Sequence, residues 1–178
     1  ALVKAGKIKK EAQEEVQKKG DTVVVNFIAQ SAESKTSVNT SGEVPSFAWN
    51  ETETFAVLEQ TDALSKATSV TYLKEEEKAK ITAEFTTNTG KAEYKYVAVY
   101  PEGGYVSAED ISAATLCLPA DQTMAEDSYD PEADLMVSEV ITTDAQPAGS
   151  QMLRFTRLAA VAKMSLNNFE VESGDKVQ

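Results

Sequence analysis

The chain has 178 residues, 42% of them hydrophobic, which is enough for a core of sandwich size and excludes global disorder. A net charge of -12 argues against nucleic acid as a partner, because phosphates call for Lys and Arg. With no His and one Cys there is neither an internal disulfide nor a His-activated nucleophile, and no apolar run reaches the about 18 residues of a membrane span.

Residues 1–20 differ from all that follows. Six Lys against three Glu make the segment +3, so the rest carries -15 (-12 minus +3). Ala5, Ile8, Ala12 and Val16 fall at helical spacing, and Glu14–Lys18 and Glu15–Lys19 have the favourable i,i+4 order. A short helix or leader is expected, ending at Gly20, and no apolar h-region of a signal peptide is visible in it.

From Asp21 the apolar pattern has period two, the mark of strands with one face in and one face out. Strands are expected at Thr22–Ala29, Ser34–Val38, Phe47–Trp49 and Thr54–Glu59. Ser69–Leu73 and Ala79–Phe85 flank the charged tip Lys74-Glu-Glu-Glu-Lys78, a hairpin end. Asn88-Thr-Gly90 is a turn. Glu93–Tyr100 sets Tyr94, Tyr96, Ala98 and Tyr100 on one face and Val97 and Val99 on the other; Pro101-Glu-Gly-Gly104 ends it. Ile111–Leu118 is apolar and closes at Pro119. An acidic loop, Pro119–Ala133, precedes a strand at Leu135–Ile141 and a connection at Thr142–Ser150. Met152–Leu158 and Ala160–Leu166 form a last hairpin or one bent strand, and Glu170–Gln178 starts a strand–turn unit. The pattern predicts an all-β antiparallel sandwich with Greek-key connections over residues 21–178, preceded by the distinct segment 1–20. Trp49, Phe55, Val57, Phe85, Val97, Leu116 and Phe155 are expected to share one core.

Several residue groups invite chemistry. Cys117 lies in the apolar run Thr115-Leu-Cys-Leu118 and is read as a small buried core residue. Asp121, Glu126, Asp127, Asp130, Glu132 and Asp134 offer carboxylates for Ca²⁺, but they lack the order of an EF-hand and Pro131 interrupts them. Solvated charge around a packed Tyr129 and Leu135 is the reading adopted. Tyr94, Tyr96 and Tyr100 are the candidate ligand or partner surface, a platform for sugar stacking, set against a half-buried core strand with hydroxyls reaching solvent. Trp49 is assigned to the core. Asn39-Thr-Ser41 and Asn50-Glu-Thr52 match the glycosylation sequon and are read as chance. No enzyme activity, metal or cofactor is expected.

The order of segments resembles the fimbrillin family of bacterial pilus and surface-adhesin subunits. The similarity rests on Val23–Ala29, Lys35-Thr36, Ala48-Trp49-Asn50 and Thr54–Leu58. It continues in Tyr94–Pro101, Leu118-Pro119, Gln122, Tyr129-Asp-Pro131, Leu135-Met136 and Leu153-Arg-Phe-Thr-Arg-Leu158. The resemblance implies a transthyretin-like sandwich, export as a lipoprotein precursor with a trimmed leader, and a place at the cell surface, in the outer membrane or a fimbrium. It implies other pilus subunits as partners, joined by strand exchange, and host or bacterial surface ligands. The family's second sandwich domain is not seen in this sequence. The alternative class is a glycan- or ligand-binding surface lipoprotein that does not polymerise.

Overall fold

The structure is a computed structural model that describes residues 22–29, 37–39, 46–75, 78–86, 91–123, 130–144, 147 and 149–158. The expected helix at residues 1–20, the turn at 88–90 and the segments 160–166 and 170–178 lie outside them. Within the described residues the fold is all-β, in sheets whose strand pairs are antiparallel except for that of Thr22–Ala29 with Gln151–Leu153.

One sheet contains β1 (Thr22–Ala29), β6 (Ser69–Glu75), β7 (Lys78–Thr86) and β13 (Gln151–Leu153), in the order β13-β1-β7-β6. β7 pairs antiparallel with β1 over its full length, from Thr22↔Thr86 to Ala29↔Ala79. The β13–β1 pair is parallel and short, from Phe27↔Gln151 to Ala29↔Leu153. The other sheet contains β4 (Ala56–Gln60), β5 (Leu64–Lys66), β8 (Tyr94–Tyr100), β11 (Met136–Ser138) and β14 (Phe155–Arg157), in the order β14-β11-β8-β4-β5. β12 (Ile141–Thr143) continues along the same edge of β8 as β11. β2 (Ser37–Asn39) and β3 (Ser46–Ala48) form a separate antiparallel pair.

The inner faces of the two sheets meet in one core, because alternate side chains on each strand are apolar. Val25, Phe27, Ile81, Ala83 and Phe85 come from the first sheet; Val57, Tyr94, Tyr96, Ala98, Tyr100, Met136 and Phe155 come from the second, with Phe55 just ahead of β4. Aromatic rings gather in two groups. Trp49 stands edge-on to Tyr100 and Phe155, with ring centroids 6.5 and 6.4 Å away, and Phe55 lies among them. Phe27 and Phe85 flank Tyr96 at 5.6 and 5.9 Å.

A second, smaller core lies on the outer face of the second sheet. After the cap at Glu102–Gly104, the hairpin of β9 (Tyr105–Ala108) and β10 (Ala114–Leu116) folds back so that Ile111 and Tyr105 cover Leu58, Val97 and Val137. Gln60 binds this flap from both of its amide atoms, accepting from Ile111 N at 2.9 Å and donating to Asp110 Oδ2 at 3.1 Å. Val97 therefore belongs to this layer and not to the central core, and Leu116 is only half-buried in the hairpin. Both correct the expectation of one shared core. The cause is that β8 is covered on both faces, which period-two alternation alone cannot indicate.

Two strands change sheets. After β5, Ala67 N donates to Val57 O in one sheet and Thr68 N to Glu84 O in the other, and the chain continues as β6. At the opposite side Arg154 separates β13, in the first sheet, from β14, in the second; whether Met152–Leu158 forms a hairpin or one bent strand with Ala160–Leu166 lies outside the described residues. These corners tie the sheets together on both sides.

Candidate functional site

The tyrosine stripe is the first correction. Tyr94, Tyr96 and Tyr100 are 2%, 0% and 1% exposed, so they offer no surface to a sugar or a partner. The phase of β8 turns them inward, against β1, β7 and Phe155. Their hydroxyls end inside the protein. Tyr100 donates to Glu53 Oε2 at 2.8 Å, and the same carboxylate accepts from Asn50 N at 2.8 Å, closing the turn Asn50-Glu-Thr-Glu53. Burial, then the neighbouring Glu53 charge, pushes the Tyr100 phenol far above its ordinary range. Tyr72 behaves alike, donating to Asn50 O at 2.9 Å.

Cys117 is the second correction. It is exposed, because β10 ends at Leu116 and the chain leaves the sheet before Pro119. Its thiol donates to Leu118 O. The acidic loop resolves into separate structural roles. Asp130 caps the turn Pro131–Ala133 by accepting from Glu132 N, and also accepts from Thr123 N at 2.8 Å. Asp134 is buried and takes a two-point contact from Arg157, Nε–Oδ1 2.7 Å and Nη2–Oδ2 3.0 Å. Leu135 is buried as expected, against Gly104, where a Cβ would overlap its Cδ2. Glu126, Asp127 and Tyr129 lie outside the described residues. Among the described residues no group of three metal-ligating side chains occurs. Trp49 is buried in the core.

The feature with the geometry of an interaction site is the edge of β1. Among the described residues, β13 pairs only with Phe27–Ala29, so Thr22–Asn26 has no partner on the side away from β7. Strand edges of this kind expose a row of N–H and C=O groups ready for another strand. On the outer face beside it stand Val24 and Met152, 48% and 50% exposed, with Ile28 paired directly to Met152. Asn26 is held in that face by Thr82, Oγ1–Oδ1 2.9 Å. The Thr22–Ala29 pattern placed the strand correctly in sequence terms. Among the described residues its pairing on that side depends on where β13 stops, over 120 residues later in a chain of 178, and no local signal announces it.

Sequence reasoning also missed Glu59, which is buried on the inner face of β4. A signal was present: Phe55, Val57 and Glu59 share one face at period two.

No family model matches the chain, nor does any curated protein or solved structure.

Proposed function

We propose that the chain is a structural cell-surface protein, a fimbrillin-like pilus subunit or adhesin, that joins other subunits by β-strand addition and has no enzymatic role. The observation that carries this reading is the edge of β1. Sheet-switching strands join the two sheets at two corners, while Thr22–Asn26 has no described partner on the side away from β7, beside exposed Val24 and Met152. An added strand would gain affinity from main-chain hydrogen bonds and register from the alternate side chains. The segment order that resembles fimbrillins supports the same reading. Burial of Tyr94, Tyr96 and Tyr100 takes away the platform on which the glycan-binding alternative rested.

The test is limited proteolysis ahead of β1 in the full chain, followed by size-exclusion chromatography. Removal of that segment should convert monomer into higher oligomer, and Val24→Lys should block the conversion by placing a charge beside the edge. A cleaved protein that stays monomeric with an unchanged melting temperature would overturn the reading.

A further inference from the structure

Glu59 is the one acidic side chain among the described residues whose carboxyl is both buried and incompletely bonded. It is 1% exposed, and its Oε2 has no hydrogen-bond partner. Register places it directly opposite Tyr96, and Tyr96 opposite Ile141, so β4, β8 and β12 contribute one cross-strand row. The Tyr96 hydroxyl approaches the carboxyl without closing a well-formed hydrogen bond. One row further along, the Thr143 hydroxyl is also buried without a partner.

Among the described residues no cation faces this carboxyl. β8 presents Tyr94 and Tyr96; β12 presents Ile141 and Thr143. The inner faces of β1 and β7 present only Val23, Val25, Phe27, Ala29, Ala79, Ile81, Ala83 and Phe85. β5 contributes Ser65, whose hydroxyl reaches Glu59 O at 3.5 Å. Lys66 is engaged by Glu102, and Lys95 by Glu93. A carboxylate in such surroundings lacks both water and a counter-charge, so the neutral acid is the form the core accepts. Burial accordingly raises the Glu59 carboxyl above its ordinary range, against a smaller opposing effect of Tyr96.

We propose that Glu59 is a pH latch: neutral, its carboxyl sits between the sheets; ionised by rising pH, it draws water inward and detaches β12 from β8. β12 is the element placed to yield. It holds β8 through three residues only, follows an irregularity in the strand, and carries the orphaned Thr143 hydroxyl.

The sign follows from linkage. Closed β12 keeps the proton on Glu59, and opened β12 releases it. The opening equilibrium therefore rises about tenfold per pH unit, starting near the ordinary carboxyl value and ending at the raised one. Amide exchange of the full chain, measured as protection factors across that pH range, tests this. Ile141–Thr143 should lose about tenfold in protection per pH unit, the β1 and β7 amides should hold theirs, and Glu59→Gln should flatten the β12 response. A flat wild-type profile, an unchanged slope in Glu59→Gln, or equal loss in β1 and β7 would overturn the latch. If Glu59→Gln does not fold, the carboxyl carbon of Glu59 is titrated by NMR in the wild type. A midpoint above the ordinary carboxyl range supports the latch, and an ordinary one overturns it.

Discussion

Phe155 shows how one side chain can serve two elements. It lies in β14, yet its ring meets Trp49 at 6.4 Å and Phe55 at 5.9 Å, so it fastens the sheet-switching strand to the aromatic end of the core. Phe155→Ala should cost about 3–5 kcal/mol in a denaturant titration, the sum of lost transfer energy and a cavity. Arg157, two residues on, neutralises buried Asp134. Arg157→Ala should destabilise by about 3 kcal/mol, because it strands a charge in the interior, whereas replacing both partners with apolar residues should cost much less. Asp110 sets a different pH dependence from Glu59. Hydrogen bonds from the Ser112 hydroxyl and N–H, and from Gln60, hold its carboxyl down to about 2. A lowered carboxyl stabilises the fold above its ordinary range, and the contribution is lost as pH falls through about 2. Acid titration of Asp110→Asn should lack that loss. Individual residues were legible where size and period agreed, as for Trp49, Phe55 and Phe85 in the core. They were misread where burial depends on a distant segment. Tyr94, Tyr96 and Tyr100 have hydroxyls that suggest solvent, but all three side chains are buried; Glu53 binds the Tyr100 hydroxyl inside, while that of Tyr96 is buried without a partner. Cys117 sits in an apolar run that outlasts its strand.

The edge strand of the second sheet illustrates how an element absorbs a mismatch. Met136↔Tyr100 and Val137↔Val99 share one register, while Ile141↔Tyr96 and Thr142↔Lys95 are displaced from it by one residue. An extra residue between β11 and β12 is a β-bulge, which leaves a ladder donor without its partner. Ser138 supplies the missing acceptor: its hydroxyl oxygen accepts from Ala98 N at 2.9 Å, and its proton goes to Glu139 O at 3.0 Å. Ser138→Ala should therefore cost about 1–3 kcal/mol, the cost of an unsatisfied buried donor, and should speed amide exchange at Ala98. Strands long enough to show alternation, β1, β6, β7 and β8, were legible within a residue or two. β5 and β9 were not, since Leu64-Ser-Lys66 and Tyr105-Val-Ser-Ala108 are too short and too polar for a period to emerge. The bulge was invisible because Leu135–Ile141 reads as one run, and only pairing with β8 exposes the added residue.

For the molecule as a whole, sandwich class followed from the number and spacing of short strands, but its closure did not. Both corners, at Ala67–Thr68 and Arg154, are made by residues with no turn signature. The corner at Arg154 also fixes how the protein carries tension. β1 and β13 run in the same direction, with Thr22 at one end of the pair and the chain leaving towards Leu158 at the other. A pull applied at Thr22 and Leu158 therefore loads the β1–β13 hydrogen bonds in shear, so they must give way together and cannot be unzipped one by one. The protein should resist stretching along this axis more than a pull that peels β6 from β7, and Met152→Pro, which removes a main-chain donor from β13, should lower the rupture force. Single-molecule pulling along the two axes measures the difference; equal forces would show that the parallel pair is not the clamp.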